Sequence, residues 1–308
     1  MGQKFTHLDD GESIFFAKEL EHLKSKSYDI AFPELKARAL IPVSSEAGPG
    51  AESITYQQYD QVGMAKIIAS YADDLPRADI SAKEFTSIIK SLGASYGYNL
   101  QEIRAAKMAG KSLTERKLVA ARRAIMQKEN AAAWFGDADA GCVGMFDNPN
   151  IISVTVPNDG TGPSTKFEDK TAAQILRDMN AMATAIHDQT KGVESADTLL
   201  LPLKQYNQVF TTQLSSGSDM TIGKFFLENS PHIKEIVWLN ELKDEGGAGV
   251  DSMVAYKKSP DKLTLEIPSD FEQLPVQERN LEFVVNVHER FGGVIIYYPL
   301  SVAKGQGI

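Results

Sequence analysis

Cysteine is almost absent. Cys142 stands alone in 308 residues, which excludes an intrachain disulfide and fits a reducing compartment. No apolar run approaches the length of about 18 residues that a membrane span needs, so no membrane partner is expected. The opening Met1-Gly-Gln-Lys-Phe-Thr-His7 has no apolar stretch and does not read as a signal peptide. Histidine is scarce: His7, His22, His187, His232 and His288 are scattered, and none has a metal-ligand partner at helical spacing. There is no Gly-x-Ser-x-Gly elbow, and Cys142 has no histidine near it in sequence. A formal charge of −9 argues against a general nucleic-acid binder, although it does not exclude local basic patches. Internal repeats and low-complexity segments are lacking too.

Two stretches come close to known ligand motifs and fall short. Gly217 to Gly223-Lys224 has the flavour of a phosphate loop. Its spacing is one residue too long, and Phe225 stands where a Ser or Thr should hold magnesium. Asp137-Ala-Asp139-Ala-Gly141 opens like a calcium loop, but a third acidic ligand is missing and Asn148 sits where a bidentate Glu is needed. The sequence therefore nominates no catalytic residue, no metal ligand and no cofactor site. A soluble enzyme with a site assembled only in space is the alternative from that class.

What is present is a chain long enough for a sizeable core and one dominant helix. Ser112 and Glu115 form a capping box, in which each side chain satisfies a free backbone N–H at the helix start. Leu118, Ala121 and Ile125 recur at steps of three and four, and Gly136 follows Trp134-Phe135 as a left-handed terminator. The spacing predicts a rod of about 24 residues, roughly 36 Å long. A shorter helix leads into it from a second box, Asn99 with Glu102, and ends at Gly110. Before these, Ser13 to Lys24 reads as a short amphipathic helix. Leu35–Val43 and Glu52–Asp60 read as two strands of a hairpin around the turn-forming Ser44-Ser-Glu-Ala-Gly-Pro-Gly50. Glu84–Tyr98 reads as one long strand with a large-residue face (Ile88, Leu92, Tyr96, Tyr98) and a face of Ser and Gly. Beyond a Gly/Pro/Asp-rich loop at Asn158–Pro163, helices alternate with short strands. Thr171 and Gln174 cap the first of these helices, and Thr198–Leu201 is a buried strand stopped by Pro202. Near the end, Leu281–His288 and Val294–Tyr298 read as a hairpin about Gly292-Gly293.

Several of these stretches, taken together, carry a resemblance. Asn99-Leu-Gln-Glu-Ile103, Lys111-Ser-Leu-Thr-Glu-Arg-Lys117, Trp134-Phe-Gly-Asp137, Gly144-Met-Phe-Asp-Asn148 and Gly292-Gly-Val-Ile-Ile-Tyr-Tyr-Pro299 with the tail to Ile308 resemble tailed-bacteriophage major capsid proteins, whose fold is shared with encapsulins. The order of elements carries the likeness, which covers most of the chain beyond about Leu35.

The resemblance implies an α+β fold in five parts. These are an N-terminal arm (1–34), an extended hairpin loop (35–63), a peripheral domain with a spine helix (64–165), an axial domain (166–276) and a return to the peripheral domain (277–308). It implies a structural subunit rather than an enzyme, self-assembling as hexamers and pentamers into an icosahedral shell around double-stranded DNA. That shell would form in the host cytoplasm and become the virion capsid, with scaffolding, portal and decoration proteins as partners. An encapsulin-like compartment shell is the nearer alternative.

The turn Ser45, Glu46, Gly48, Pro49, Gly50 would then be the hairpin tip laid on a neighbouring subunit. Lys111, Arg116, Lys117, Arg122, Arg123 and Lys128, opposed along the helix only by Glu115 and Glu129, would face packaged DNA through non-specific contacts. Some relatives cross-link through a lysine near that loop tip. Ser44–Tyr59 has no lysine, which predicts a shell held without covalent links.

Overall fold

In the computed structural model the described residues are 32–63, 79–109, 113–159, 162, 164–215, 217 and 219–308. The chain divides into two units, Met1–Glu34 and Leu35–Ile308. The arm helix expected at Ser13–Lys24 and the apolar run Met64–Ser70 lie outside the described residues.

The second unit opens with a single helical turn, α1 (Ala37–Leu40), and a two-residue strand, β1 (Val43–Ser44). The strand expected over Leu35–Val43 is therefore not formed. Ala37, Leu40 and Ile41 are all buried, a three-to-four spacing that a helical turn satisfies and an alternating strand does not. Next come β2 (Ser53–Val62) and β3 (Asp79–Ile88), antiparallel in unbroken register from Ser53↔Ile88 to Val62↔Asp79. The buried Ile89 separates β3 from β4 (Lys90–Asn99), so the single long strand read over Glu84–Tyr98 is two strands serving different sheets.

The two helices fall where their spacing put them. In α2 (Leu100–Ala109) the Glu102 N–H donates to Asn99 Oδ1 at 2.7 Å and the Asn99 N–H to Glu102 Oε2 at 3.2 Å, the reciprocal capping box. The spine helix α3 runs Leu113–Phe135 and stops at Gly136, whose φ is +72°. Gly110 and Ser112, which the reading of these helix ends used, lie outside the described residues. The buried residues Ala121 and Ile125, with Leu118, pack on the large face of β4 through Tyr96, Leu92 and Tyr98; the Ser/Gly face stays away from the helix.

The chain then builds a sheet buried on both faces. β5 (Ile152–Thr155) is followed by α4 (Ala172–Gln189), started by the Thr171–Gln174 capping box, and by β6 (Thr198–Leu201). Pro202 caps α5 (Leu203–Thr211), after which come α6 (Ile222–Asn229), β7 (Glu235–Trp238) and β8 (Ser252–Tyr256). Every residue of β6 and β8 is buried. The reason is that Leu199, Leu201, Met253 and Ala255 pack under α4–α6, while Leu200, Val254 and Tyr256 join the cluster around Trp134.

The last sixth of the chain is woven back through everything before it. β9 (Leu263–Glu266) leads to β10 (Ser269–Gln273), β11 (Gln277–Arg279), β12 (Glu282–Phe291), β13 (Gly293–Ile296) and β14 (Val302–Gln306). β12 pairs with β4 along its whole length, from Glu282↔Asn99 to Phe291↔Lys90, and with β10 and β11 on its other edge. The hairpin read about Gly292-Gly293 does not form, because β13 pairs with β9 instead. Gly293, at φ +78°, turns the chain out of one sheet into another. β14 inserts between β5 and β8, completing the order β5–β14–β8–β6–β7. The segment 277–308 thus divides among three sheets: β11 and β12 under the spine helix, β13 beside β9, and β14 under α4.

Candidate assembly surfaces

The β2–β3 ribbon is the most exposed structure among the described residues. Ten residues at about 3.3 Å each carry it some 33 Å. Every residue of β3 except Ser87 is exposed. One face carries Thr55 and Thr86, whose hydroxyls lie 2.9 Å apart, then Gln57 donating to Glu84 at 2.6 Å, and Tyr59 donating to Gln57 at 2.7 Å. Tyr59 and Ile80 are each 63% exposed and Phe85 and Ile88 are exposed as well, so apolar rings and branches face solvent along an unsupported ladder.

Among the described residues the ribbon is anchored at its root. Tyr56 stacks on Phe85 at 5.3 Å and meets the edge of Tyr297 at 5.0 Å. The Ser87 hydroxyl donates to the Gly292 carbonyl at 3.1 Å, and Arg290 donates to the Ala51 carbonyl at 2.5 Å.

This register moves the loop tip. Ser45, Glu46, Gly48, Pro49 and Gly50 form the turn between β1 and β2, beside Ile54, Glu266 and Tyr297 at the ribbon's base. They cannot be the tip, because β2 takes β3 as its partner rather than the segment Leu35–Val43. Residues 63–78 connect the two strands, and all of them but Gly63 lie outside the described residues. That connection contains Lys66, so the absence of lysine from Ser44–Tyr59 does not extend to the whole segment between β1 and β3.

The spine-helix cations do not share one face. At about 100° per residue, Arg116 and Arg123 fall together, Lys117 and Lys128 fall together on another side, and Arg122 stands apart. Lys117 and Lys128 are engaged in local structure. Lys117 Nζ donates to the Gly97 carbonyl at 2.7 Å and pairs with Glu102 at 3.0 Å, tying α3 to the start of α2. The same lysine's hydrogen bond, ahead of the Asn99 N–H, holds the Glu102 carboxyl below its ordinary range. Lys128 pairs with Asp137 at 2.5 Å and likewise lowers that carboxyl. Arg122 lies over the Phe271 ring, 5.4 Å from its centre, while Arg116 is exposed. Lys111 lies outside the described residues.

The near-motifs resolve into structure. Asp137 Oδ1 accepts the Ala140 N–H at 3.1 Å, and Asp137 and Cys142 bridge across the turn, so its carboxylate holds a loop. Burial pushes the Cys142 thiol up. Gly223 lies where a side chain would meet the Phe210 ring at 2.9 Å, a packing role in the turn after Thr221 caps α6. His187 and His232 stack at 5.2 Å. Among the described residues no group of three or more His, Cys, Asp or Glu could hold a metal ion, and no helix is long and apolar enough to cross a membrane.

One cluster was overlooked in the sequence. Glu129 is 2% exposed and accepts two hydrogen bonds of 2.7 Å from Arg38, which also reaches the fully buried Glu289 at 3.1 Å. Its signal was an acid on the apolar stripe of α3, four residues after Ile125.

Comparison with known proteins agrees with this architecture. The fold is similar to the capsid of Myoviridae phage XM1, at TM-score 0.84 and 18% identity over 96% of this chain and 99% of that one. It is similar to a chain of Mycobacterium phage Ogopogo at TM-score 0.63 and 10% identity, over 96% and 99%. A virus-like particle from Pyrococcus furiosus follows at TM-score 0.54 and 11% identity, over 86% and 90%. No curated protein sequence matches. A family model described as major capsid protein matches residues 63–308. With that match spanning β3 to the last residue, the chain belongs to the major capsid protein family.

Proposed function

We propose that this chain is the repeating structural subunit of an icosahedral tailed-phage head that encloses double-stranded DNA, and that the β2–β3 ribbon lies on a neighbouring copy. The observation that carries the reading is the ribbon itself. An isolated two-stranded hairpin is marginal in water. A ladder of about 33 Å that leaves Tyr59 and Ile80 mostly exposed needs a second surface to cover them. Family membership and likeness to phage capsids support the same role, which is structural rather than catalytic. Because a virus-like particle shares the fold, the cargo is the finer part of the proposal.

Scaffolding, portal and decoration proteins are the proposed partners, assembly takes place in the host cytoplasm, and DNA is contacted without sequence preference. Of the spine cations, Arg116 and Arg123, one heptad apart on one side of the helix, are the pair proposed to face it. The earlier ground for a shell without covalent links is gone now that Lys66 falls within the loop.

The test replaces Tyr59–Ala82 by Asn-Gly, which closes Gln58 and Lys83 with a two-residue turn. The expected product is a folded chain of near-unchanged melting temperature that no longer closes shells in electron micrographs. Normal shells from the shortened chain would remove the ribbon from assembly. An unfolded product would mean that the ribbon belongs to its own subunit's core.

A further inference from the structure

Two carboxylates and one guanidinium meet where three elements converge. Glu129 comes from α3, Glu289 from β12 and Arg38 from α1. Both carboxylates are buried, at 2% and 0% exposure, while Arg38 spans from them to the exposed Asp270 of β10 at 2.9 Å. Arg122, on α3, is the further cation beside Asp270. The fourth element packed here, β4, offers only Leu92 opposite Glu289. With every group ionised, one half-buried guanidinium would face three negative charges. Glu289 Oε2 is buried and accepts no hydrogen bond among the described residues, as expected of an oxygen that carries a proton turned toward Glu129. A buried carboxyl hydrogen-bonded to a second carboxylate holds its own proton more readily than one in water.

The cluster also sits at a mechanical position. The next residue of β12, Arg290, holds the Ala51 carbonyl. Adjacent residues of one strand therefore grip both ends of the segment that leads into the ribbon: Glu289 through Arg38 at its start, and Arg290 at its finish. Asn130, next to Glu129, accepts the Ala37 N–H at 3.0 Å and adds to the same grip.

We propose that Glu129, Glu289 and Arg38 form a proton-operated clamp on the segment Ala37–Ala51, closed while the two carboxylates share a proton and loosened when that proton is lost. Loosening frees the root of the ribbon to change its angle without unfolding the sheets beneath it. Burial, and then the hydrogen bond to Glu129, push the Glu289 carboxyl up to about 8. Arg38 stays charged throughout, raised by its bond to Glu129. When the clamp opens into water, Glu289 returns toward its ordinary value near 4.5. A carboxyl raised on closing makes the closed form strongest below that ordinary value. Its advantage is lost as pH rises toward about 8 and is flat beyond it.

The test is amide hydrogen exchange on the full, unassembled chain, corrected for intrinsic rates, at pH 5.5 and pH 8. The reporters are the amides of Leu40, Ile41 and Ala51, which donate to the Lys36, Ala37 and Gly48 carbonyls, against Val254 and Ala255 in the buried sheet. Protection in the segment should fall tenfold or more between the two pH values while the reference amides stay protected. Glu289→Gln keeps the shape and removes the titration, so its segment protection should be flat with pH. If that variant does not fold, Glu129→Gln breaks the pair from the other side and should flatten the profile in the same way. The clamp is overturned if wild-type segment protection does not change, if the reference amides fall with it, or if a folded Gln variant keeps the wild-type profile. The measurement needs no shell, so its failure is separate from any failure of the assembly reading.

Discussion

Gly136 and Gly144 together decide how the spine helix ends. A Cβ on Gly136 would lie 2.5 Å from both the Cys142 carbonyl oxygen and the Gly144 nitrogen, and one on Gly144 would lie 2.2 Å from the Gly136 nitrogen. The backbone therefore closes on itself here, and the closure stacks Phe146 on the fully buried Trp134 at 5.1 Å. Gly48 shares the left-handed conformation, at φ +69°, but nothing lies within 4 Å of its missing side chain. Substituting each glycine by alanine separates torsion from contact. Gly48→Ala should cost about 1 kcal/mol, the torsional penalty alone. Gly136→Ala should cost about 2–4 kcal/mol, because fixed backbone atoms occupy the space. Urea unfolding of both variants checks the ranking. Equal losses would mean that the closed turn relaxes freely and is not what orders the aromatic stack.

At the scale of elements, α3 has two kinds of charge. Lys117 is structural, so Lys117→Glu should weaken the α2–α3 junction and show as lost stability. Arg116 and Arg123 lie one heptad apart and share a side of the helix. Under the proposed DNA contact, Arg116→Glu with Arg123→Glu should leave shells that form normally but retain less genome. The deficit should be widest at low ionic strength and shrink as salt rises, since phosphate contacts are screened. Equal DNA content at every salt concentration would take DNA away from this side of the helix, and a failure to form shells would assign it to a subunit contact.

Elements held by local rules were legible: the Asn99–Glu102 and Thr171–Gln174 boxes, the Gly136 stop and the strand ended by Pro202 all stand where the residues put them. Leu35–Val43 was misread because a four-residue helical turn and a short strand bury overlapping sets of residues.

For the whole molecule, the exposed ribbon and family membership predict assembly. The purified chain, alone or with the proposed scaffolding partner, should sediment as capsomer rings or larger particles. A persistent monomer under all such conditions would weigh heavily against a shell role. What residues alone determined here was whatever a few neighbours can enforce: helix caps, the amphipathic spine, the buried runs and the order of elements that carries the family likeness. Which strand pairs with which lay beyond them. Both Leu35–Val43 and Asp79–Ile88 satisfy the β2 pattern in isolation, and the pairing is decided only when Ala37, Leu40 and Ile41 find the Trp134 core. The tertiary structure moved the loop tip, sent β14 between β5 and β8, and set Glu129 against Glu289. The reason is physical: register and burial depend on partners distant in sequence, and a carboxylate's ionisation depends on what surrounds it once those partners have met.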